Sequence, residues 1–263
     1  MTTASFDVVV LAADRGAADP VAAAGHAPGK VLVEVGGRPM LARVLDAVGR
    51  SGGAGAVTVV CPDAPAYRGV LDAAGAPARA DPAAGPAASV NAVLGARAAS
   101  GPLLVVTADH ALLRPDWIAQ FVERARATGA DAVVGVVDHA GVARRFPDSR
   151  RTRYRFSDVA VCGANLFWFG GDRGRAAVSR WQAFEAHRKR PWRIIAGLGP
   201  VNLLRYLAGR MTLARATQRL SQRFGVAVAA VFIDDPRAAV DVDSPADLEQ
   251  VRAICAAEDR APP

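Results

Sequence analysis

The 263-residue sequence predicts an α/β fold in which a mostly parallel sheet is flanked by helices. Short apolar runs rich in β-branched residues, such as FDVVVL at 6–11 and LLVVT at 103–107, are typical of strands buried on both faces. Amphipathic helical patterns alternate with these runs, as in βαβ units. With 51% hydrophobic and 22% charged residues, the chain is neither disordered nor fibrous.

Strands and helices are predicted to alternate through the first 140 residues. The predicted strands are 6–11, 31–35, 56–60, 103–107 and 132–137. The predicted helices are 40–48, 66–74, 89–99 and 116–127. Prolines at 39, 86 and 115 stand at the predicted helix entries, where the fixed φ of proline is favourable. The segment between the first strand and Lys30 lacks helical spacing and is predicted to be a loop.

The alternation breaks at Gly141, where a basic, helix-rich insertion is predicted to begin. Residues 144–155 are expected to form a loop or edge hairpin, followed by a strand at 159–169 that bends at Gly163. Helical patterns fill 173–188 and 192–223, the latter interrupted at 197–200; a last strand is predicted at 226–233 and a last helix from Ser244-Pro245 to about 256. We therefore expect one domain over 1–263, made of an α/β half (1–140), the insertion (141–225) and a closing strand and helix (226–256).

The charges are distributed unevenly along the chain. Arginine supplies 30 of the 32 basic residues, a composition bias that weakens the case for a nucleic-acid partner, and none is expected. Residues 141–225 carry 18 basic and 4 acidic side chains, whereas the remainder carries 14 basic and 21 acidic. This asymmetry favours an anionic ligand on the basic part, with a solvated arginine-rich surface as the alternative.

A cytoplasmic location is expected from three features of the sequence. The three cysteines lie far apart and form no CxxC motif, which argues against a disulfide framework or a thiolate zinc site. No apolar run approaches the ~20 residues of a membrane-spanning helix. The first residues lack the basic region of a secretory signal.

Three segments could carry chemistry at the ends of predicted strands. The first strand runs into a loop, 11–16, whose backbone N–H groups could hold phosphates, with Lys30 adding a compact positive charge. Asp109 follows the 103–107 strand and could hold a hard cation such as Mg²⁺. Alternatively, Lys30 is an ordinary surface lysine and Asp109 a helix-cap or turn aspartate without a ligand. The neighbouring His110 is interpreted as structural.

The third segment carries paired carboxylates. Asp241 and Asp243 are two residues apart in an extended stretch, so they point to the same side, and a cation between them would relieve their repulsion. Asp243, directly before the Ser244 cap, is the better ligand candidate. A further turn at Gly85-Pro86 leads into a helix whose N-terminus could face a nucleotide.

The order of these features resembles that of the MobA-like NTP transferases, a nucleotidyltransferase group within the wider GT-A-like fold. That family has Leu-Ala-x-Gly-x-Gly and a later Lys, a Gly-Pro turn before a helix, a strand ending in a metal-binding Asp, and Asp or Asn before Thr/Ser-Pro-x-Asp-Leu. The matching positions are Leu11-Ala12 to Gly16 with Lys30, Gly85-Pro86, Asp109, and Asp243 to Leu248. The resemblance covers most of the chain, least informatively from 141 to 223, and implies a Rossmann-like (GT-A-like) fold.

The resemblance implies Mg²⁺-dependent (or Mn²⁺-dependent) transfer of NMP from an NTP to a phosphorylated acceptor, such as a sugar phosphate or cofactor precursor, with release of pyrophosphate. Lys30, Asp109 and Asp243 would be catalytic, and the two aspartates would bind the metal. The expected NTP-binding residues are Leu11, Ala12, Ala13, Asp14, Arg15, Gly16, Lys30, Gly85, Pro86 and Ser89. The expected acceptor-binding residues are Arg153, Arg155, Gly163 and Asn165.

One position departs from the family pattern. Asp14 stands where the first loop glycine is usual, and its carboxylate would repel a triphosphate unless Arg15 or a cation neutralises it. This departure makes a catalytically impaired nucleotide-binding protein an alternative. The shared fold makes a GT-A glycosyltransferase another, although a glycosyltransferase would more often show DxD at the strand end. For the basic stretch from Arg188 through Leu213, three interpretations are open: contact with an anionic membrane, a homodimer face, or core packing.

Overall fold

The computed structural model describes residues 5–13, 18–96, 101–148, 151–185, 199–258 and 260, without the side chains of 182–185. The chain divides into two compact units, the first formed by 1–82, 105–119 and 240–263 and the second by 83–104 and 120–239. Helices alternate with mostly parallel strands, so the predicted α/β class is confirmed. The expected division at residues 140 and 225 stays a prediction. Within the described residues, no helix is both long and apolar enough to cross a bilayer.

The strands and helices of the described residues are numbered here in chain order. The strands are β1 Phe6–Leu11, β2 Glu34–Val35, β3 Arg38–Pro39, β4 Ala54–Val60, β5 Ala78–Ala80, β6 Leu103–Thr107, β7 Ala132–Asp138, β8 Tyr154–Arg155, β9 Ala160–Phe169 and β10 Val228–Phe232. The helices are α1 Pro20–Ala24, α2 Met40–Arg50, α3 Pro65–Ala73, α4 Pro86–Ala96, α5 Pro115–Ala127, α6 His139–Arg145, α7 Gly171–Glu185, α8 Pro200–Leu207, α9 Leu213–Phe224 and α10 Pro245–Glu258.

In the first unit, the strand order is β6-β1-β4-β5, and β4 pairs in parallel with both of its neighbours. The β1 residues Val8, Val9 and Val10 are at most 1% exposed, which explains the continuous apolar run of this strand. α2 packs six buried residues, from Met40 to Val48, against the rest of the unit. The carboxyl ends of β1 and β6 therefore rest on a dry core.

In the second unit, β7 pairs in parallel with β10 and antiparallel with β9, and β8 pairs antiparallel with the other side of β9. Val134 lies opposite Phe167 but Val136 lies opposite Gly163, so β9 contains two extra residues at this point. Asn165, inside the irregularity, has a φ of 53°. The bend predicted at Gly163 therefore lies at the N-terminal edge of this irregularity.

Several predicted segments differ from the structure, each for a local reason. The predicted strand 31–35 is a 3-10 turn, Lys30–Leu32, followed by the two-residue β2, because Val31 and Val33 are buried without a neighbouring strand to pair with. The predicted loop before Lys30 contains α1, which Asp19 caps by accepting a hydrogen bond from the Val21 N–H.

The predicted loop or hairpin at 144–155 is also partly wrong. α6 occupies its first residues and begins earlier, because the Asp138 carboxylate accepts hydrogen bonds from two backbone N–H groups of the first turn. The edge strand β8 occupies its last two residues. Strand β5 had no strong apolar pattern and was not predicted. Residues 186–198, with the basic cluster from Arg188 to Arg193, lie outside the described residues.

Candidate active site

The candidate site lies in the first unit, at the carboxyl ends of β1 and β6. The Ala108 N–H donates to the Leu11 carbonyl at 2.9 Å, and the Ala12 N–H donates to the Val60 carbonyl at 2.9 Å. These bonds fix the chain just before Asp109 beside the exit of β1. The loop residues Asp14, Arg15 and Gly16, predicted to bind NTP, lie outside the described residues.

Lys30 is held by the 3-10 turn that it begins. Val31 and Val33 are buried at 2% and 0% exposure, and Gly25 lies so close to Val33 that a β-carbon at position 25 would overlap its side chain. Because the apolar side chains anchor the turn, the Lys30 side chain is only 12% exposed. Its ammonium donates hydrogen bonds to Asp109 Oδ2 at 2.7 Å and to Asp243 Oδ1 at 3.1 Å.

Asp109 offers a second, unused carboxylate oxygen. Its Oδ1 is buried and has no hydrogen-bond partner among the described residues. Leaving a buried acceptor unsatisfied is costly, so this oxygen favours a ligand that the protein itself does not supply. His110, which follows, is 1% exposed and stacks on Trp117 with ring centroids 6.1 Å apart, in keeping with its predicted structural role.

The paired carboxylates of the closing segment alternate with buried valines. Val240 and Val242 are fully buried, so the aspartates that follow them, Asp241 and Asp243, emerge on the opposite side. The Val242 N–H donates to the Asp109 carbonyl at 3.0 Å and joins the two acidic segments directly.

The start of α10 holds Asp243 in place. Ser244 Oγ accepts a hydrogen bond from the Asp247 N–H at 3.3 Å and donates one to Asp247 Oδ2 at 2.7 Å. The same Oδ2 accepts the Asp243 N–H at 3.2 Å. The predicted Ser244 cap is therefore confirmed; with Asp247 it forms a capping box, which fixes the backbone of a site residue as well as the helix end.

The cluster as a whole carries a net negative charge. Oxygens of Asp109, Asp241 and Asp243 all lie within 4.8 Å of one another, and Lys30 brings one positive charge against three carboxylates. Burial by itself lowers the pKa of Lys30, but the carboxylates of Asp109 and Asp243 outweigh it and raise the pKa above its ordinary 10.5. Oxygen donors at this spacing, with one buried oxygen unsatisfied, fit a divalent cation.

From the sequence, Asp241 pairs with Asp243 around a cation, but Asp243, together with Asp109, is preferred as the metal ligand, whereas in the structure all three carboxylates lie close together. The signal for Asp241 is the Val-Asp-Val-Asp alternation, which places both carboxylates on one side whenever the valines are buried. The structure brings Lys30, Asp109 and Asp243 together, with Leu11 and Ala12 nearby; their roles remain predictions.

The predicted NTP-binding residues Gly85, Pro86 and Ser89 lie in the second unit. Gly85 directly precedes α4 and Pro86 begins it, and the hydroxyl of Ser89, buried at 2% exposure, accepts a hydrogen bond from the Ala83 N–H at 3.0 Å. The Ser89 hydroxyl therefore closes this turn, and the contribution of the three residues to NTP binding stays a prediction.

The predicted acceptor residues are close to one another in sequence and in the sheet. Arg153 and Arg155 flank Tyr154 of β8, which lies opposite Val161 of β9, two residues before Gly163. The positive charge of Arg153 acts on the Cys162 thiol, whose pKa burial nevertheless raises to about 11. Arg153, Arg155 and Gly163 are exposed, so an acceptor anion could reach them.

Comparison with known families agrees with this geometry. The model of the MobA-like NTP transferase domain matches residues 8–201. The chain belongs to this family. The match begins at β1 and includes Lys30 and Asp109, so the predicted resemblance is confirmed and the chain is a nucleotidyltransferase by family. No curated protein sequence matches significantly.

Solved structures of this fold resemble the chain over nearly its whole length. A hypothetical transferase from Thermus thermophilus is 28% identical with a TM-score of 0.75, covering 93% of this chain and 99% of that one. A CMP:2-keto-3-deoxy-manno-octonic acid synthetase complexed with CTP is 16% identical (TM-score 0.62, 97% and 100% covered). A 2-C-methyl-D-erythritol 4-phosphate cytidylyltransferase, also from Thermus thermophilus, is 17% identical (TM-score 0.53, 96% and 99% covered). Because the last two structures are less than 20% identical to this chain, their similarity shows a shared fold and nothing further.

Proposed function

We propose that the chain transfers an NMP group from an NTP to a phosphorylated acceptor with the help of a divalent cation. One observation carries the proposal: Lys30, Asp109, Asp241 and Asp243 form one cluster at the carboxyl ends of β1 and β6. Ligands bind at this edge of α/β sheets, and the cluster combines a cation for phosphate with carboxylates for a metal. Family membership selects nucleotidyl transfer among the chemistries such a cluster could perform.

Asp109, Asp241 and Asp243 would hold the cation, which we take to be Mg²⁺ or Mn²⁺ because all three ligands are hard oxygen donors. When bound, the ion would neutralise negative charge on the α-phosphate and on the departing pyrophosphate. The unsatisfied Oδ1 of Asp109 supports this assignment, since a cation would complete the bonding of that atom.

The reaction itself requires positioning and charge neutralisation more than covalent chemistry. An oxygen of the acceptor phosphate forms a bond to the α-phosphorus, the bond from that phosphorus to the bridging oxygen breaks, and pyrophosphate leaves with the bonding electrons. An acceptor phosphate is already ionised near neutral pH, so no general base is needed. The backbone after β1 and the Lys30 ammonium would orient the triphosphate.

Lys30 has two successive partners in this proposal. Without nucleotide, its ammonium stabilises the carboxylates of Asp109 and Asp243. With a triphosphate and a cation bound, Asp109 and Asp243 would hold the cation, and the Lys30 ammonium would donate to phosphate oxygens instead of to these carboxylates. A lysine suits this exchange because its ammonium is compact and can reorient, unlike a guanidinium.

The acceptor is proposed to be a phosphorylated small molecule gripped by arginines of the second unit. Arg153 and Arg155 are the candidates, since guanidinium groups bind phosphate through charge-assisted hydrogen bonds. The acceptor and the base of the NTP require a screen. The similarity in fold to two cytidylyl-transferring enzymes makes CTP the first nucleotide to test.

The test is release of pyrophosphate from each of the four NTPs with Mg²⁺ and a panel of sugar phosphates and phosphorylated cofactor precursors. We expect one NTP and one acceptor class to release pyrophosphate together, and neither alone. Asp116→Asn, which alters an exposed aspartate of the same unit, serves as the matched control. Nucleotide binding without any pyrophosphate release would favour the impaired nucleotide-binding protein, and turnover of nucleotide sugars would favour a glycosyltransferase.

A further inference from the structure

An exposed apolar stripe runs along α8 in the second unit. We define it as Val201, Leu204 and Leu207, whose exposures are 58%, 66% and 67%. Among the described residues, the only other large apolar side chain with comparable exposure is Phe232, at 36%. Three such residues within one short helix are costly to keep in water, so the stripe is a candidate interaction surface.

An arginine-lined cavity adjoins the stripe. It has a volume of about 460 Å³, and Arg205 of α8 and Arg215 and Arg219 of α9 line it together with Val201 of the stripe. Gln222 accepts a hydrogen bond from the Arg219 guanidinium at 2.8 Å, and no carboxylate of the described residues pairs with any of the three guanidinium groups. The cavity therefore gathers three guanidinium groups that no carboxylate of the described part of the chain neutralises.

The surrounding sequence strengthens this positive field. Residues 200–225 contain five arginines and no aspartate or glutamate. Arg210 and Arg223, the two arginines outside the cavity, are exposed. Val201 and Arg205 are four residues apart on α8 and so share one side of the helix, which places apolar and positive groups next to each other.

We propose that this surface docks onto an anionic lipid membrane, with the arginine-lined cavity binding lipid phosphate and the apolar stripe entering the acyl boundary. A surface that combines basic side chains with exposed leucine and valine complements such a membrane in both charge and polarity. A soluble phosphate compound would use the arginines but would leave the stripe in water. A second copy of this chain would bring a second cluster of five arginines against the first, which the charges oppose.

The surface does not depend on the proposed nucleotidyl transfer, and its test uses no nucleotide. Sedimentation with vesicles of equal parts phosphatidylglycerol and phosphatidylcholine measures binding, and vesicles of phosphatidylcholine alone provide the comparison. We expect the parent protein to bind the anionic vesicles in low salt and to leave the neutral ones unbound, because a surface dominated by arginine requires anionic lipid.

Two triple variants separate the charged from the apolar contribution. Replacing Arg205, Arg215 and Arg219 by Gln should weaken vesicle binding about a hundredfold, at roughly fivefold per arginine. The control variant replaces three exposed arginines of the first unit, Arg50, Arg68 and Arg114, by Gln as well, and so removes the same net charge. Replacing Val201, Leu204 and Leu207 by Ser should weaken binding about tenfold, whereas Phe232→Ser should leave it unchanged. Because the stripe residues are exposed, the folded state should tolerate these changes, as thermal unfolding would verify.

Three results would overturn the proposal. The parent protein could fail to bind anionic vesicles, or the control arginine triple could weaken binding as much as the cavity triple, which would mean that only diffuse charge matters. The third is a parent protein that elutes as a dimer and becomes monomeric in the stripe triple, which would make the stripe an interface between copies of the chain.

Discussion

At the scale of single residues, the proposed function makes the acidic cluster the feature on which activity should depend most. Asp109→Asn and Asp243→Asn should each lower turnover by about a hundredfold or more, because each removes a negative charge proposed to hold the cation. Asp241→Asn should also lower turnover, by a smaller factor, since it leaves both partners of Lys30 in place. Steady-state pyrophosphate release measures the effect, with Asp116→Asn as the control. Near-normal turnover of either of the first two variants in saturating Mg²⁺ would remove that residue from the site.

Lys30→Met tests the exchange of partners proposed for the lysine. Without nucleotide, the variant should bind Mn²⁺ about tenfold more tightly than the parent protein, because the ammonium no longer repels a second cation from the carboxylates. Its affinity for NTP should fall. Titration of each ligand by calorimetry measures both effects, and Lys189→Met, at the other lysine of the chain, is the control. Unchanged or weaker Mn²⁺ binding would show that Lys30 does not compete with the metal.

The buried cysteines predict how stability depends on alkaline pH. Burial raises the pKa of both Cys61 and Cys162 from 9.0 to about 11. The unfolded chain therefore loses these protons near pH 9 while the folded protein keeps them until about pH 11, and the free energy of unfolding should fall between these values. Urea unfolding of the parent and of a Cys61→Ala, Cys162→Ala variant across this range measures the contribution. If the free energy of unfolding fell equally with pH in the two proteins, the burial of the thiols would be contradicted.

At the scale of elements, the first turn of α10 caps the helix and also holds the backbone of Asp243, so it should affect both stability and turnover. Ser244→Ala should lower the stability by about 1 kcal/mol through loss of the N-cap, and should also lower turnover because Asp243 loses the support of Asp247. Thr212→Ala is the matched control, since Thr212 caps α9 through the Arg215 N–H in the second unit. It should lose similar stability and keep full turnover. Equal activity of the two variants would show that the capping box does not position Asp243.

The elements with a dry, continuous apolar pattern were predicted well from sequence. β1 and β6 were predicted with their observed bounds because strands buried on both faces leave an unmistakable apolar run. The strand predicted at 31–35 was wrong because β-branched residues can also be buried by packing, without pairing to a neighbouring strand. α1 and α6 were missed because their starts depend on caps from Asp19 and Asp138, which periodicity does not reveal.

The same reasoning explains which parts of the site were predictable. Asp109 and Asp243 stand directly after or before strong local signals, a buried strand and a helix cap. The only sequence signal for Asp241 is the alternation of valine and aspartate in the closing segment. Lys30 donates to two aspartates that lie 79 and 213 residues away in the sequence, and this proximity arises only in the folded chain. Long-range ion pairs of this kind leave no trace in local sequence.

At the scale of the whole molecule, the uneven charge of the sequence is divided between the two units. The acidic cluster and Lys30 belong to the first unit, whereas Arg153 and Arg155, the proposed acceptor arginines, belong to the second. A metal-dependent transfer between two phosphorylated substrates requires both carboxylates for the cation and guanidinium groups for the acceptor. The charge asymmetry in the sequence therefore agrees with the proposed reaction.

The fate of the α-phosphate distinguishes nucleotidyl transfer from every other reaction of an NTP. The decisive measurement incubates the protein with Mg²⁺, the acceptor found in the screen, and its NTP labelled at either the α- or the γ-phosphorus. We predict that the α-label moves into a new product that contains the acceptor, while the γ-label appears as pyrophosphate, and that Asp109→Asn abolishes both. Release of the γ-label as orthophosphate, or an α-label that stays in free nucleotide, would contradict nucleotidyl transfer by this chain.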